Sequence, residues 1–420
     1  MSRRPARAVI AAATALSLTT ATVQPADAAP APLEIGALPQ QDVVINGVKV
    51  PMPAALLAVA GIAAALGGLS AFIVQAIINA AAGQKGGSAP GGSSRKPGDE
   101  KPHAEYLNRF DFSEGNNEKA IGGLSGIELV DQDRYIAISD DKKEHGPIRA
   151  YYFKTTDGGK TFTQDGEVRF TQADGSEYSD YLDPEEIRLL PNGNYLWTTE
   201  GSADKGTFIA PQIIESTPDG KEVRRIDAPA HHAPDEKGTK GVHNNKGPEA
   251  MAVLADGKTM ITINEDALAQ DGPENSETHS SLARITVYDL NSGKAVKEHA
   301  VRVSPGRGVT SLLADDNGNL FMLERGFNEA TKTNMAQIYT LDLEGADDVL
   351  GTEALTGLEK TASKTLVFDF DKQKPHPDNV EGLAWGPKNA AANGGRSMVV
   401  VTDDNFNDSQ STLMHLLAVR

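Results

Sequence analysis

Apolar and polar positions along this chain follow a repeat. A polar residue stands two places before an aliphatic one, and a short apolar run follows: LSGIELV at Ser125, PEEIRLL at Glu185, PEAMAVL at Glu249, VTSLLAD at Thr310 and VEGLAWG at Glu381. Each copy leads through a turn into a second apolar run that ends in acid: YIAISDD, YLWTTEG, MITINED, LFMLERG and VVVTDDN. Between His103 and Arg420 other short β-type runs appear, such as RAYYFK, ARITVYDL, QIYTLDL, KTLVFDF and LMHLLAV. Turn signals such as PNGN, ADGK, NSGK and DDNGN separate them, and helical periodicity is nearly absent. Many short strands with regular turns predict an all-β sandwich, barrel or propeller.

Spacing decides among these. The polar anchor recurs at 125, 185, 249, 310 and 381, and repetition at this scale means one supersecondary unit used several times. The residues before Ser125 and after Glu381 together make about one further interval. That is the arithmetic of a closed β-propeller whose last blade is completed by the N-terminal strand, EYLNRFDF. The direct count is five blades; six would require one blade without the motif. TTDGGKTF, from Thr155 to Phe162, matches the Asp-box turn found in propeller hairpins, where the short acid bonds its own turn's backbone amides. Asp157 is therefore read as structural.

Strand residues alternate faces. Glu185, Glu249 and Glu381 occupy equivalent places at the start of an innermost strand, with Ser125 and Thr310 in the other two. Glu186 falls one step out of phase and is expected to face away. The second strand returns antiparallel, so Asp140, Asp141, Glu200, Glu265, Asp266, Glu324, Asp403 and Asp404 at its ends come back to the same rim. Carboxylates gathered at one mouth either hold protons or share a cation. An all-oxygen donor set suits calcium better than zinc. The candidate metal ligands are Glu185, Glu249, Glu381, Asp140, Glu265 and Asp403. The candidate catalytic residues are Glu249, Glu381 and Arg325, with Lys246, Arg149 and Arg284 as further cations for an anionic ester. His231, His232 and His243 lie in the polar loop HHAPDEKGTKGVHNNKG before Glu249, read as solvated or as a cover for the mouth. No G-x-S-x-G and no H-E-x-x-H occurs.

The ordered motifs LSGIEL, EEIRLLPNGNYLWTTEG, NKGPEAMAVLADGKTMITINED and NVEGLAWGP with VVVTDDNF resemble the bacterial phytase-like family described as "esterase-like activity of phytase". The resemblance covers about residues 105 to 420. It implies a β-propeller, often exported, with hydrolytic activity on esters or phosphate esters. It is only distantly similar to the calcium-dependent propeller phytases, whose calcium motifs find no residue-by-residue match here.

Composition narrows the rest. The net charge of −18 argues against nucleic-acid partners, and the lack of any Cys excludes disulfides, thiol catalysis and Cys-ligated zinc. Residues 1–28 read as a signal peptide, with Arg3, Arg4 and Arg7 before an apolar stretch and Ala26-Asp27-Ala28 at its end. A short polar segment, 29–50, follows. Residues 51–83 predict an Ala/Gly-rich hydrophobic helix whose core, 54–82, is long enough to span a bilayer, which takes about 20 residues. Ala60, Ala64 and Gly68 give it a small-xxx-small face for self-association. A transmembrane span, an envelope-associated helix and a packing helix remain open. Residues 84–104 form a Gly/Ser/Pro linker. The combined expectation is an exported protein of the cell envelope, secreted or membrane-anchored. It would hydrolyse ester or phosphoester bonds of a small-molecule or envelope substrate with a carboxylate-held cation. The alternative is a non-catalytic tethered propeller that binds a glycan, lipid or protein.

Overall fold

A computed structural model of the chain describes residues 42–45, 48–51, 101–112, 121–204, 206–387 and 395–420. The signal peptide, the hydrophobic helix and the linker lie outside the described residues. Within the stretch read as a short polar segment and its boundary, β1 (Asp42–Ile45) and β2 (Val48–Pro51) pair as an antiparallel hairpin. Among the described residues no helix is long and apolar enough to cross a membrane.

The remaining strands form a five-bladed propeller. β3 (Ala104–Asp111) is the first propeller strand in chain order but belongs to the last blade. Blade one is β4 (Leu124–Asp131), β5 (Arg134–Ser139), β6 (Arg149–Lys154) and β7 (Thr163–Arg169). Blade two is β8 (Pro184–Leu189), β9 (Tyr195–Thr199), β12 (Gln212–Ser216) and β13 (Glu222–Asp227), with the small hairpin β10 (Ser202–Asp204) and β11 (Thr207–Ile209) inserted. Blade three is β14 (Ala250–Val253), β15 (Thr259–Ile263), β16 (Leu282–Asp289) and β17 (Lys294–Arg302). Blade four is β18 (Gly308–Ala314), β19 (Leu320–Asn328), β20 (Thr333–Asp342) and β21 (Ser363–Asp369). Blade five is β22 (Asn379–Trp385), β23 (Arg396–Asp403), β24 (Leu413–Val419) and β3. The innermost strands β4, β8, β14, β18 and β22 touch in turn and close the ring.

Closure works as the spacing predicts. β3 pairs antiparallel with β24, from Ala104 opposite Val419 to Asp111 opposite Leu413. Reciprocal backbone bonds between His103 and Arg420 at 3.1 and 2.9 Å extend the seam. Closing the ring in this way ties the two ends of the domain into one sheet.

The blades share no single core. An apolar cluster fills each of the five gaps between consecutive blades. In β9, Tyr195 and Trp197 pack toward blade one, while Leu196 packs toward blade three. Both faces of the middle strands are buried, which is why they read as continuous apolar runs rather than as alternating ones. The turns behave as their composition requires: Asn192, Asp256, Asp289 and Asp315 each accept a backbone N–H two residues on. Asp157 accepts from the amides of Lys160 and Thr161, both at 2.9 Å, which is the structural role read from its motif.

The innermost strands carry the feature that shapes the site. Four of them break register at the motif: between Leu124 and Ile127, Pro184 and Ile187, Val309 and Ser311, and Val380 and Gly382. Such bulges insert an extra residue and re-aim side chains.

Candidate functional site

At the start of each innermost strand the five anchor residues Ser125, Glu185, Glu249, Thr310 and Glu381 are all buried. The ends of the second strands return beside them. Asp140, Asp183, Glu185, Glu200, Glu249, Glu265, Glu381 and Asp403 thereby form one electrostatic cluster. All six carboxylates read as metal ligands from the sequence are members. Arg325, read as catalytic, joins them: its Nε lies 3.1 Å and its Nη2 3.0 Å from Glu381 Oε1. Asn379 donates to the same oxygen at 2.7 Å.

Among the described residues three cations face the eight acids. Arg325 is one. Lys142 Nζ lies 2.7 Å from Asp183 Oδ2 and also bonds the Asn245 amide oxygen. Lys246 Nζ lies 2.5 Å from Glu265 Oε2. The Ser125 hydroxyl donates to Glu185 Oε2 at 2.9 Å, and the Gly247 amide donates to Glu200 Oε1 at 3.0 Å. These partners leave lone pairs over. Asp183 Oδ1, Glu200 Oε2 and Glu249 Oε2 are buried without a hydrogen-bond partner, as is Thr310 Oγ1. Buried polar atoms are normally satisfied, so these four oxygens set the mouth apart from the bonded networks around it.

The electrostatics follow from that crowding. Burial pushes the Glu185, Glu200 and Glu249 carboxyls well above the usual range, and neighbouring carboxylates push them further. Asp140 is raised by burial and then by Asp403, Asp183 and Glu381. Asp403 is raised to about 7 by burial and by Glu381. Glu381 rises less far because Arg325 opposes its burial.

Some sequence expectations are redirected. Glu186, expected from phase to face away, is fully buried on the axis of the ring. The bulge between Pro184 and Ile187 lets two consecutive glutamates point inward, Glu185 at the mouth and Glu186 below it. There Glu186 Oε2 meets Ser311 Oγ at 2.6 Å and Arg188 Nη2 at 3.0 Å. Arg188 plugs the channel. It donates to the carbonyls of Met251, Ile127, Ile187 and Leu312 at 2.8 to 2.9 Å, reaching the innermost strands of four blades. The remaining rim acids are engaged elsewhere. Asp141 pairs with Arg149 at 2.7 Å, Asp266 caps Ala267 and Asn275, Glu324 pairs with Lys364, and Asp404 holds the amides of Gly123 and Phe406. Arg284 forms an internal pair with Asp271 and Glu298. His231 and His232 neither cover the mouth nor stand in solvent: their rings meet the Glu298 carboxylate on β17 at 2.9 and 2.7 Å. The same loop then delivers Asn245 and Lys246 to the mouth.

Asp183 and Lys142 carry no signal in the repeat. The residues equivalent to Asp183, two before each anchor, are Gly123, Gly247, Gly308 and Asn379.

Two cavities open beside Arg325. One, of about 820 Å³, is lined by Asn245, Phe327, Lys332, Asn334, Asn379 and Asn405 among others. The second, of about 390 Å³, is lined in part by Lys246, Glu265, Arg307 and Phe327. Among the described residues the non-glycine positions with left-handed backbone are Lys143, Asn245, Lys332, Asn405 and Phe406. Three of them line the larger cavity. Local strain of this kind persists where surrounding structure over-determines it, commonly at binding sites.

No curated protein matches the chain. Among solved structures it is similar to an endo-arabinase from Bacteroides thetaiotaomicron, at 12% identity and TM-score 0.41 over 71% of this chain and 94% of that one. It is also similar to an α-L-arabinofuranosidase from Fusarium graminearum, at 10% identity and TM-score 0.39 over 74% and 98% of the two chains. A glucose dehydrogenase matches at 8% identity and TM-score 0.38 over 74% and 99%. The family model described as "Phytase-like: Esterase-like activity of phytase" matches residues 119–406, over a chain of 420, and the protein belongs to that phytase-like family.

Proposed function

We propose that the acid-lined mouth hydrolyses an ester or phosphoester bond with the help of a divalent cation, calcium foremost. The observation that carries this reading is the set of buried, unpartnered oxygens on Asp183, Glu200 and Glu249. The donor set fits the group: carboxylate oxygens alone, crowded and fixed on strand ends, favour a hard cation. Glu185, Glu249 and Glu381 with Asp140, Glu265 and Asp403 are the acids read from the sequence as its holders, and Asp183 and Glu200 join them. When bound, such an ion supplies Lewis acidity and a more acidic water.

The chain's own residues divide the remaining work. Glu249 offers a free oxygen and a raised pKa, which suits it to accept and return a proton. Arg325 presents a half-buried guanidinium, its side chain 27% exposed, to negative charge developing on the ester. Glu381 holds that guanidinium in place through two contacts at 3.1 and 3.2 Å. The cavity bordered by Phe327 and Asn334 receives the organic part of the substrate. On this reading the protein acts outside the cytoplasm, exported by residues 1–28 and held at the envelope through residues 54–82.

The test uses the full-length chain with a panel of phosphate monoesters, phosphodiesters and acyl esters, with calcium or with chelator. Turnover that needs calcium and falls about a hundredfold or more in Glu249→Gln is expected, the usual scale for losing an acid–base group. If Glu249→Gln and Glu381→Gln leave hydrolysis intact, the mechanism is wrong. If no ester turns over, the protein is a binding propeller for a glycan, lipid or protein.

A further inference from the structure

The mouth carboxylates fall into two groups. Oxygens of Asp183, Glu185 and Glu200 lie within 4.8 Å of one another, and so do oxygens of Glu200, Glu249 and Glu265. Glu200 belongs to both. All five residues are buried, Glu200 at 1% exposure. An acid cluster whose oxygens are all bonded is a structural network. Here an unpartnered oxygen occurs in each group: Asp183 Oδ1 in the first, Glu249 Oε2 in the second, and Oε2 of the shared Glu200.

Each group also carries one lysine. Lys142 Nζ sits on Asp183 at 2.7 Å and Lys246 Nζ on Glu265 at 2.5 Å. The two lysines are matched in setting. Both side chains are 29% exposed, against 1% and 2% for their carboxylate partners. The acids are fixed by the strand ends, whereas the ammonium groups arrive on long flexible stems from loops, free to withdraw toward solvent.

We propose that the mouth binds two divalent cations, with Glu200 common to both positions, and that Lys142 and Lys246 each compete with one of them. This rests on the cation reading above and extends it to stoichiometry and to control of affinity. A lysine ammonium within hydrogen-bond distance of a ligand oxygen opposes an arriving cation in two ways. It occupies a lone pair, and its charge repels at a few ångströms through a medium far less screening than water. Removing a lysine charge should therefore tighten one cation position by about tenfold or more, whereas neutralising Glu200 should weaken both.

The experiment is calorimetric titration of the full-length chain with calcium, with circular dichroism melting to verify that each variant is folded. Two ions per chain are expected in the wild type. Glu200→Gln should lower affinity at both positions by at least about tenfold, and Glu185→Gln at one only. Lys142→Met should tighten one position and Lys246→Met the other. A single ion per folded chain, with calcium-dependent hydrolysis intact, overturns the pairing and leaves the proposed function standing. Lysine variants that bind equally or more weakly overturn the competition. No calcium binding by a folded chain overturns this proposal and the cation reading together.

Discussion

The Ser311 hydroxyl donates to Glu186 Oε2 at 2.6 Å, from the innermost strand of blade four to that of blade two. These blades are not neighbours in the ring, so the bond crosses the axis. Arg188 is the other spanning group, and its Nη2 lies 3.0 Å from the same oxygen. Burial raises the Glu186 carboxyl to about 8, with Arg188 opposing the rise. The channel floor is thus a buried carboxyl–guanidinium contact surrounded by backbone carbonyls. The mouth above it is reached from one side.

Arg188→Met should be among the most destabilising single changes in the domain. It strips donors from the carbonyls of Met251, Ile127, Ile187 and Leu312 and leaves Glu186 buried beside them. Breaking a buried pair by removing one partner costs about 3–5 kcal/mol. The double variant Glu186→Gln with Arg188→Met should lose less than the sum of the singles, since the residues share one network. Urea denaturation of the three variants measures both effects.

Gly126 and Gly382 follow the anchors Ser125 and Glu381. At Gly126 a Cβ would stand 2.2 Å from Glu186 Oε1 and 2.6 Å from Glu186 Cα; at Gly382 it would stand 2.3 Å from the Ser125 carbonyl. Gly126→Ala and Gly382→Ala should each cost about 1–3 kcal/mol from overpacking. At the equivalent place in blade three, Ala250→Gly should cost only about 0.5–1 kcal/mol from backbone entropy. Equal melting shifts at the three positions would contradict this account of the bulges.

Sequence reading recovers the propeller because closure and interblade packing are written in spacing. EYLNRFDF is the closing strand, and the apolar runs are the middle strands. It misses QIIES in β12, a third strand of only five residues, and three outermost strands: TQDGEVR in β7, EVRRID in β13 and KAVKEHAVR in β17. An outermost strand has one free edge, and β7 is exposed at all but Val168, so its polarity hides its structure. The site follows the same logic. Glu185, Glu249 and Glu381 stand out because three blades repeat them, while Asp183 occurs in one blade only. Glu186 is misassigned because strict alternation holds only where a strand is regular, and the bulge before Ile187 breaks it.

His415 gives the fold a pH dependence separate from the mouth. Its ring is buried between Tyr106 and Phe370, Nδ1 meets the Tyr106 hydroxyl at 2.8 Å, and Nε2 has no partner. Burial and Arg109 depress its pKa from 6.5 to about 3. The unfolded chain therefore takes up a proton below pH 6.5 that the folded one refuses. The stability contribution is complete above pH 6.5 and is lost as pH falls toward 3. Between pH 7 and pH 5 the loss is about 2 kcal/mol. His415→Gln keeps an acceptor for Tyr106 and removes the titration. The difference in unfolding free energy between wild type and His415→Gln should therefore change by that amount over this window. A difference independent of pH would refute the assignment.

The mouth carboxylates act with the opposite sign, and calcium should expose it. Glu185, Glu200 and Glu249 are raised well above their ordinary values, and Asp403 to about 7, in each case first by burial and then by neighbouring carboxylates. A carboxyl with a raised folded pKa stabilises the fold below its unfolded pKa, and that contribution fades as pH rises through the folded value, near 7 for Asp403. In chelator the cluster should therefore cost stability progressively from pH 5.5 to pH 8, as ionised oxygens are forced together. A bound cation needs those oxygens ionised, so its affinity rises over the same interval. Calcium at a hundred times its dissociation constant should add about 2.7 kcal/mol. The gain in melting temperature should be larger at pH 8 than at pH 5.5, and smaller in Glu249→Gln, which lacks one of the charged oxygens. Differential scanning calorimetry of the full-length chain at both pH values, with calcium or with chelator, reads the gap directly. A calcium shift that is the same at both pH values, or one that Glu249→Gln leaves unchanged, would place the cation away from these carboxylates.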